Sequence, residues 1–178
     1  MTQIEARNGA GGREGTFGKS RKEFKPVVLP VEEFEKNLAI AQNVWNKLGV
    51  DPLSYVTNSD GLIAMNEEGR GAELRQSTEH YIKINESLSS VKSNESPFCL
   101  LADHIEPQIR AMQEVWSIGH GATIDQVERA SDNIRERNTQ GLGHQLDKIF
   151  QEIPSFMRIV NKIVADKAPV GLSSVVTA

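Results

Sequence analysis

A chain of 178 residues with 38% apolar and 6% aromatic side chains and a net charge of −4 has room for one domain with a modest core, a better fit to packed helices than to an aromatic-rich β-sandwich. Cys99 is the only cysteine, which excludes an intrachain disulfide and points to a reducing compartment. No stretch approaches the about 18 apolar residues of a membrane span, and the first residues lack the apolar run of a signal peptide, so no membrane association is expected.

Residues 1–26 read as a flexible, basic, glycine-rich arm. Gly9, Gly11, Gly12, Gly15 and Gly18 are interspersed with six basic and three acidic side chains, a composition that cannot bury enough apolar surface to offset its ordering entropy. The arm carries +3 and leaves −7 on the remainder. An acidic body does not itself attract nucleic acid, so a polyanion would have to be met by the arm or by local arginines. Six basic residues also suffice merely to keep an arm in solution. Gly18-Lys19-Ser20 is not a phosphate loop, because Arg13 stands where the pattern needs its first glycine.

After Pro30, Val31, Phe34, Leu38, Ala41, Trp45 and Leu48 recur at spacings of three and four and predict one helical face. Gly49 is its natural stop, and Asp51-Pro52 restarts a short helix through Tyr55. Asn58-Ser59-Asp60-Gly61 predicts a loop or helical turn, with a small β-hairpin as the other option. A second helix is expected from Ala72 to Leu88, with Leu74, Tyr81, Ile84 or Asn85, and Leu88 facing inward. Ser89 to Pro97 reads as a connecting loop.

Phe98, Leu101, Ile105, Ile109, Met112 and Trp116 mark the next stripe, in which Pro107 is expected to kink the helix or to begin a new one. Cys99 lies within this apolar run and is expected to be a buried, inert thiol. Gly119-His120-Gly121 ends the stripe. Thr123 and Gln126 have the form of a capping box, ahead of Ile124, Val127, Ala130, Ser131 and Ile134 on one face. Gly141 and Gly143 flank a further break, and a last helix runs from about His144 through Val164. No internal repeat of fixed period is visible, which argues against a solenoid.

The histidines at 80, 104, 120 and 144 are widely separated, and none forms a zinc pattern. No nucleophile elbow occurs. No enzyme activity, metal or other cofactor is therefore expected. Asp125, Glu128, Arg129, Asp132, Arg135, Glu136 and Arg137 form the densest charged segment; its spacings suit a self-neutralising solvated face, or a row of arginines turned to phosphate. Arg70 and Arg75 form a smaller basic group near a predicted helix start.

The segment Leu38 to Pro52, LAIAQNVWNKLGVDP, resembles an early core helix of coat proteins from flexuous filamentous plant RNA viruses. That resemblance implies a mostly helical core between two extended arms, polymerising along single-stranded RNA without catalysis. The late aromatic-acidic segment of that family is missing and the chain is shorter, so no RNA-contacting position is carried over. Rod-shaped virus coat proteins are closer in length and are also acidic and helical, without a motif match.

The sequence thus predicts an all-α helical bundle, with one short β-hairpin as the only allowance for strand. Residues 1–26 form an arm, 27–167 the helical core and 168–178 a tail, the two ends being disordered or extended. The expected function is a non-enzymatic, self-assembling viral coat or nucleocapsid subunit, its partners being copies of itself and single-stranded nucleic acid, RNA by the resemblance. Its place would be the virion or host cytoplasm. The other reading is a bacterial or phage helical adaptor binding a protein partner, in the bacterial cytoplasm. The candidate phosphate contacts are Arg70, Arg75, Arg129, Arg135 and Arg137, with Arg13, Lys19, Arg21 and Lys22 from the arm.

Overall fold

A computed structural model describes residues 25–91 and 95–167. The two predicted ends, including Arg13, Lys19, Arg21 and Lys22, lie outside the described residues, except for residues 25 and 26. The fold is all-α. Helices α1 (Val31–Leu48), α2 (Pro52–Glu67) and α3 (Gly71–Ser90) are followed by α4 (Ala102–Glu114), which passes into a π-helical turn at Val115–Gly119, and by α5 (Ile124–Thr139), α6 (Gly143–Phe150) and α7 (Ile153–Lys167).

Several local signals act as expected. Gly49 takes a left-handed conformation (φ +68°) and ends α1. Thr123 and Gln126 close a full capping box on α5. Other expectations are narrowed or corrected. At residues 58–61 the loop and the hairpin are ruled out and the helical option holds, extended into the continuous α2: Asp51 caps its start by accepting from the Ser54 amide at 2.9 Å, and Ser59 donates to the Tyr55 carbonyl one turn back. Of the two options for Pro107, only a new helix start is ruled out, because Pro107 lies inside α4, which begins at Ala102. Between the two alternatives left open on α3, Asn85 is the inward one, accepting from Lys47 at 2.6 Å, while Ile84 is exposed. Cys99 is exposed rather than buried.

The largest correction concerns repetition. The described residues form two copies of one three-helix unit, α1–α3 and α4–α7, the third helix of the second copy being divided into α6 and α7. Gln42-x-Val44-Trp45 recurs 71 residues later as Gln113-x-Val115-Trp116. Asn66-x-x-Gly69-x-Gly71-x-x-Leu74 recurs 72 residues later as Asn138-x-x-Gly141-x-Gly143-x-x-Leu146. The shift from 71 to 72 hides the repeat from a fixed-period search.

The structure gives each repeated residue a physical task. In the first unit, an extended clip at Pro26–Pro30 lies against the α2–α3 junction: Val27 donates to Gly69 O (2.6 Å) and accepts from Gly71 N (2.7 Å), while Leu29 N donates to Asn66 Oδ1 (2.8 Å). In the second, Phe98 donates to Gly141 O (2.9 Å) and accepts from Gly143 N (2.8 Å), and Leu100 N donates to Asn138 Oδ1 (2.7 Å). The glycines are required. Gly69 and Gly141 have φ of +77° and +81°, and a Cβ on Gly71 or Gly143 would come within 2.5 Å of the clip carbonyl oxygen. Gln42 donates to Ser59 and Gln113 to Ser131, tying the first helix to the second in each unit.

The units meet where α2 packs on α5, and the core is centred on the second unit. Ile109, Met112, Trp116, Ile134 and Leu146 are essentially fully buried there, with Val56 of α2 added from the first unit. Each such side chain contributes about 1.5–3 kcal/mol by burial. The outer ends of the predicted stripes are left exposed: Val31 and Leu48 on α1, Leu101 and Ile124 in the second unit.

Candidate functional site

The arginines expected to contact phosphate are placed individually by this fold. Arg70 holds both carboxylate oxygens of Glu73, at 3.0 and 2.6 Å. Arg75 holds Glu33 of α1 in the same forked way, at 2.6 and 2.9 Å. Arg129 bridges the units by gripping Asp60 of α2 at 2.7 and 2.9 Å, and takes Asp125 as well. Arg135 grips Glu106 of α4 at 3.0 and 3.1 Å and also Asp132. These hydrogen bonds pull the carboxyls of Glu33, Asp60, Glu73 and Glu106 below their ordinary pKa. All four arginines are partly exposed, yet each spends its planar fork on a carboxylate. The self-neutralising face is the arrangement seen at Arg129 and Arg135.

Arg137 differs from all four. It points inward and is wholly buried, which corrects its expected place in a surface row. Its Nε donates to Asn46 Oδ1 at 2.9 Å, and its guanidinium carbon stands 5.6 Å from the centre of the Tyr55 ring. Asn133 also donates to Asn46 Oδ1, at 3.4 Å. Both Nη1 and Nη2 are buried without a hydrogen-bond partner, as is Asn133 Oδ1. No carboxylate among the described residues is within ion-pair distance of Arg137, and burial lowers its pKa to about 10. The same burial raises the pKa of the Tyr55 hydroxyl, aided by the charge of Glu136.

The structure also has a half-open cavity of about 650 Å³, whose lining does not include Arg137, Asn46, Asn133 or Tyr55. Trp116, Ile149 and Phe156 supply apolar wall, and Lys47, Lys148 and His120 lie along it with Asp51 and Glu152. The cavity and the buried arginine share a turn: Asn46 holds Arg137, and the next residues, Lys47 to Gly49, line the cavity. Asp51 lines it too and is close enough for its charge to act on Arg137.

The cavity exists because the second unit departs from the first at two places. Gly49 follows Trp45 by four residues, whereas its counterpart Gly121 follows Trp116 by five. The added residue is absorbed as the π-helical turn, and the capping bond persists: Trp45 O accepts from Val50 N, and Trp116 O from Ala122 N. The third helix is also divided. The first unit has one 20-residue helix, α3; the second has α6 and α7, separated at Gln151-Glu152 just before Pro154. His120 from the π-turn and Phe156 from the broken helix meet edge to face, 6.3 Å apart. In the first unit Trp45 is instead covered edge-on by Tyr55 and Tyr81, whose counterparts beside Trp116 are the smaller Val127 and Ile153.

Sequence spacing pointed to the paired arginines and passed over the cavity. The detectable signal was a difference between the two repeats, Met65 against Arg137, which becomes visible only after the repeats are aligned. No group of three or more acidic, histidine or cysteine side chains that could hold a metal occurs among the described residues, and no described helix is long and apolar enough to cross a membrane. Comparison with family models, curated proteins and solved structures finds no match.

Proposed function

We propose that this chain is a non-enzymatic structural subunit that assembles with copies of itself, in the manner the resemblance to coat proteins implies. The observation that carries the reading is that each clip carries exposed apolar side chains, although at different positions in the two units. Val28 and Val31 stand out at the first clip with 61% and 71% exposure, and Phe98 and Leu101 at the second with 42% and 78%. Exposed apolar side chains at both clips of an otherwise acidic body suit contacts between subunits. The ion pairs of Arg75, Arg129 and Arg135 fasten helices to one another, which suits a rigid building block.

Packaging of single-stranded RNA is the finer form of the proposal. With Arg70, Arg75, Arg129 and Arg135 committed to carboxylates, that role falls to Arg13, Lys19, Arg21 and Lys22, in an arm outside the described residues. Light scattering and negative-stain microscopy over a range of salt and pH test the assembly. Rods, rings or filaments are expected, and Leu101→Asp should disperse them while leaving the helical circular dichroism intact. A strict monomer under all conditions would sink the proposal. Loss of bound nucleic acid from the assemblies on nuclease treatment, read by absorbance ratio, tests the RNA.

A further inference from the structure

We propose that residues 168–178, which lie outside the described residues, turn back along α7 and fill the half-open cavity of their own chain with apolar side chains. The cavity offers apolar surface to such an occupant: Leu48, 54% exposed, lines it together with the half-buried Ile149 and Phe156. That surface continues along α7. Phe156, Ile159, Val160, Ile163 and Val164 follow one another at spacings of three and four, which makes a track along one side of the helix from the cavity to its last turn. Ile159 and Val164 on this track are 55% and 51% exposed, although an apolar side chain of that size gains from cover. The residues that follow suit the track. Pro169 and Gly171 are turn formers just past the helix end, and the stretch 172–178 holds Leu172, Val175 and Val176 without a charged side chain. From Lys167 back to Phe156 the helix measures about 16 Å. An extended chain covers that distance in about five residues, which brings Val175 and Val176 to the cavity. The lining carries two lysines, Lys47 and Lys148, and two carboxylates, Asp51 and Glu152; this balance suits an uncharged segment better than the basic arm of residues 1–26. Tethered to the end of the track, the segment meets its own cavity at an effective concentration of about a millimolar, which favours it over the same segment of a second copy.

The test is photocrosslinking of the full chain, with a benzophenone attached at Thr177→Cys in a Cys99→Ser background. Products should join the label to peptides that contain Leu48, Ile149 or Phe156. Mixing isotope-labelled and unlabelled chains before irradiation identifies the source, and the products should stay within one isotope. Val176→Asp, which carries a charge into the cavity, should cut this crosslinking about tenfold or more. Ile149→Trp, which fills the cavity, should do the same while keeping the circular dichroism spectrum of the parent. Products scattered over the surface, products that join the two isotopes only, or cavity products that survive in both folded variants overturn the inference. The crosslink pattern is read per chain, so it is separate from whether copies form rods or filaments, and the assembly proposal stands or falls on its own.

Discussion

The two three-helix units keep the same joints and differ in what fills the space between them. Both fasten an extended clip under a Gly-x-Gly turn with one asparagine, both tie the first helix to the second with a glutamine and a serine, and both bury a tryptophan at the end of the first helix. The first unit covers its tryptophan with two tyrosine edges and runs an unbroken third helix. The second inserts a residue, breaks the third helix, and places an arginine where the first has methionine. Joints are therefore the conserved structural minimum, and the filling is where a duplicated unit is free to acquire something else.

The sharpest way to break the comparison is at the joints themselves. Gly71→Ala and Gly143→Ala each drive a Cβ to within 2.5 Å of a backbone oxygen, and each should cost about 3 kcal/mol in chemical denaturation. Gly143→Ala should shift the whole cooperative transition to lower denaturant, because its clip carries Leu100 and its helix Leu146, both in the main core cluster. Gly71→Ala should loosen the first unit preferentially, read as hydrogen exchange rising in α3 before α5. Equal exchange in both would mean the units unfold as one.

Next in size are the asparagine pins. Asn66→Ala and Asn138→Ala each leave a clip amide, Leu29 N or Leu100 N, without its acceptor, at a cost of about 1–2 kcal/mol. The two losses should add, since the sites lie in different units. Arg137→Met should move stability the other way, raising it by about 1 kcal/mol, because it removes a buried unpaired cation and restores the residue of the sister unit. A fall of comparable size would show that the guanidinium supports the fold.

Much of the architecture was legible because it rests on local chemistry. The 3.6-residue stripes located every first helix, Gly49 and the Thr123–Gln126 box marked ends, and Asp125–Arg129 and Asp132–Arg135 pairs follow from helical spacing alone. Non-local chemistry was not legible. Ser59 and Asp60 read as turn formers but sit in a helix, because Ser59 meets Gln42 and Asp60 meets Arg129, 69 residues away. Arg137 reads like its charged neighbours on α5; its burial depends on Asn46, 91 residues earlier. Cys99 looked buried by its apolar neighbours, yet it is Leu100 that the clip turns inward.

The smallest expected effect concerns the charged bond between the units. Arg129 lowers the pKa of Asp60 mainly by hydrogen bonding, so folding favours the ionised carboxylate. The resulting stability is fully present above the unfolded pKa of about 4 and disappears as pH falls through the lowered folded value. Both side chains are more than a third exposed, and screening limits the pair to about 0.5 kcal/mol. Asp60→Asn should therefore lower stability slightly at pH 7 and not at all near pH 2, where the parent has also lost the charge. Glu33 and Glu106 have lowered pKa values of their own and keep a general acid dependence in the variant, so the informative quantity is the difference between variant and parent across pH. A difference that persists unchanged at pH 2 would place the role of Asp60 in neutral hydrogen bonding across the α2–α5 contact instead of in charge.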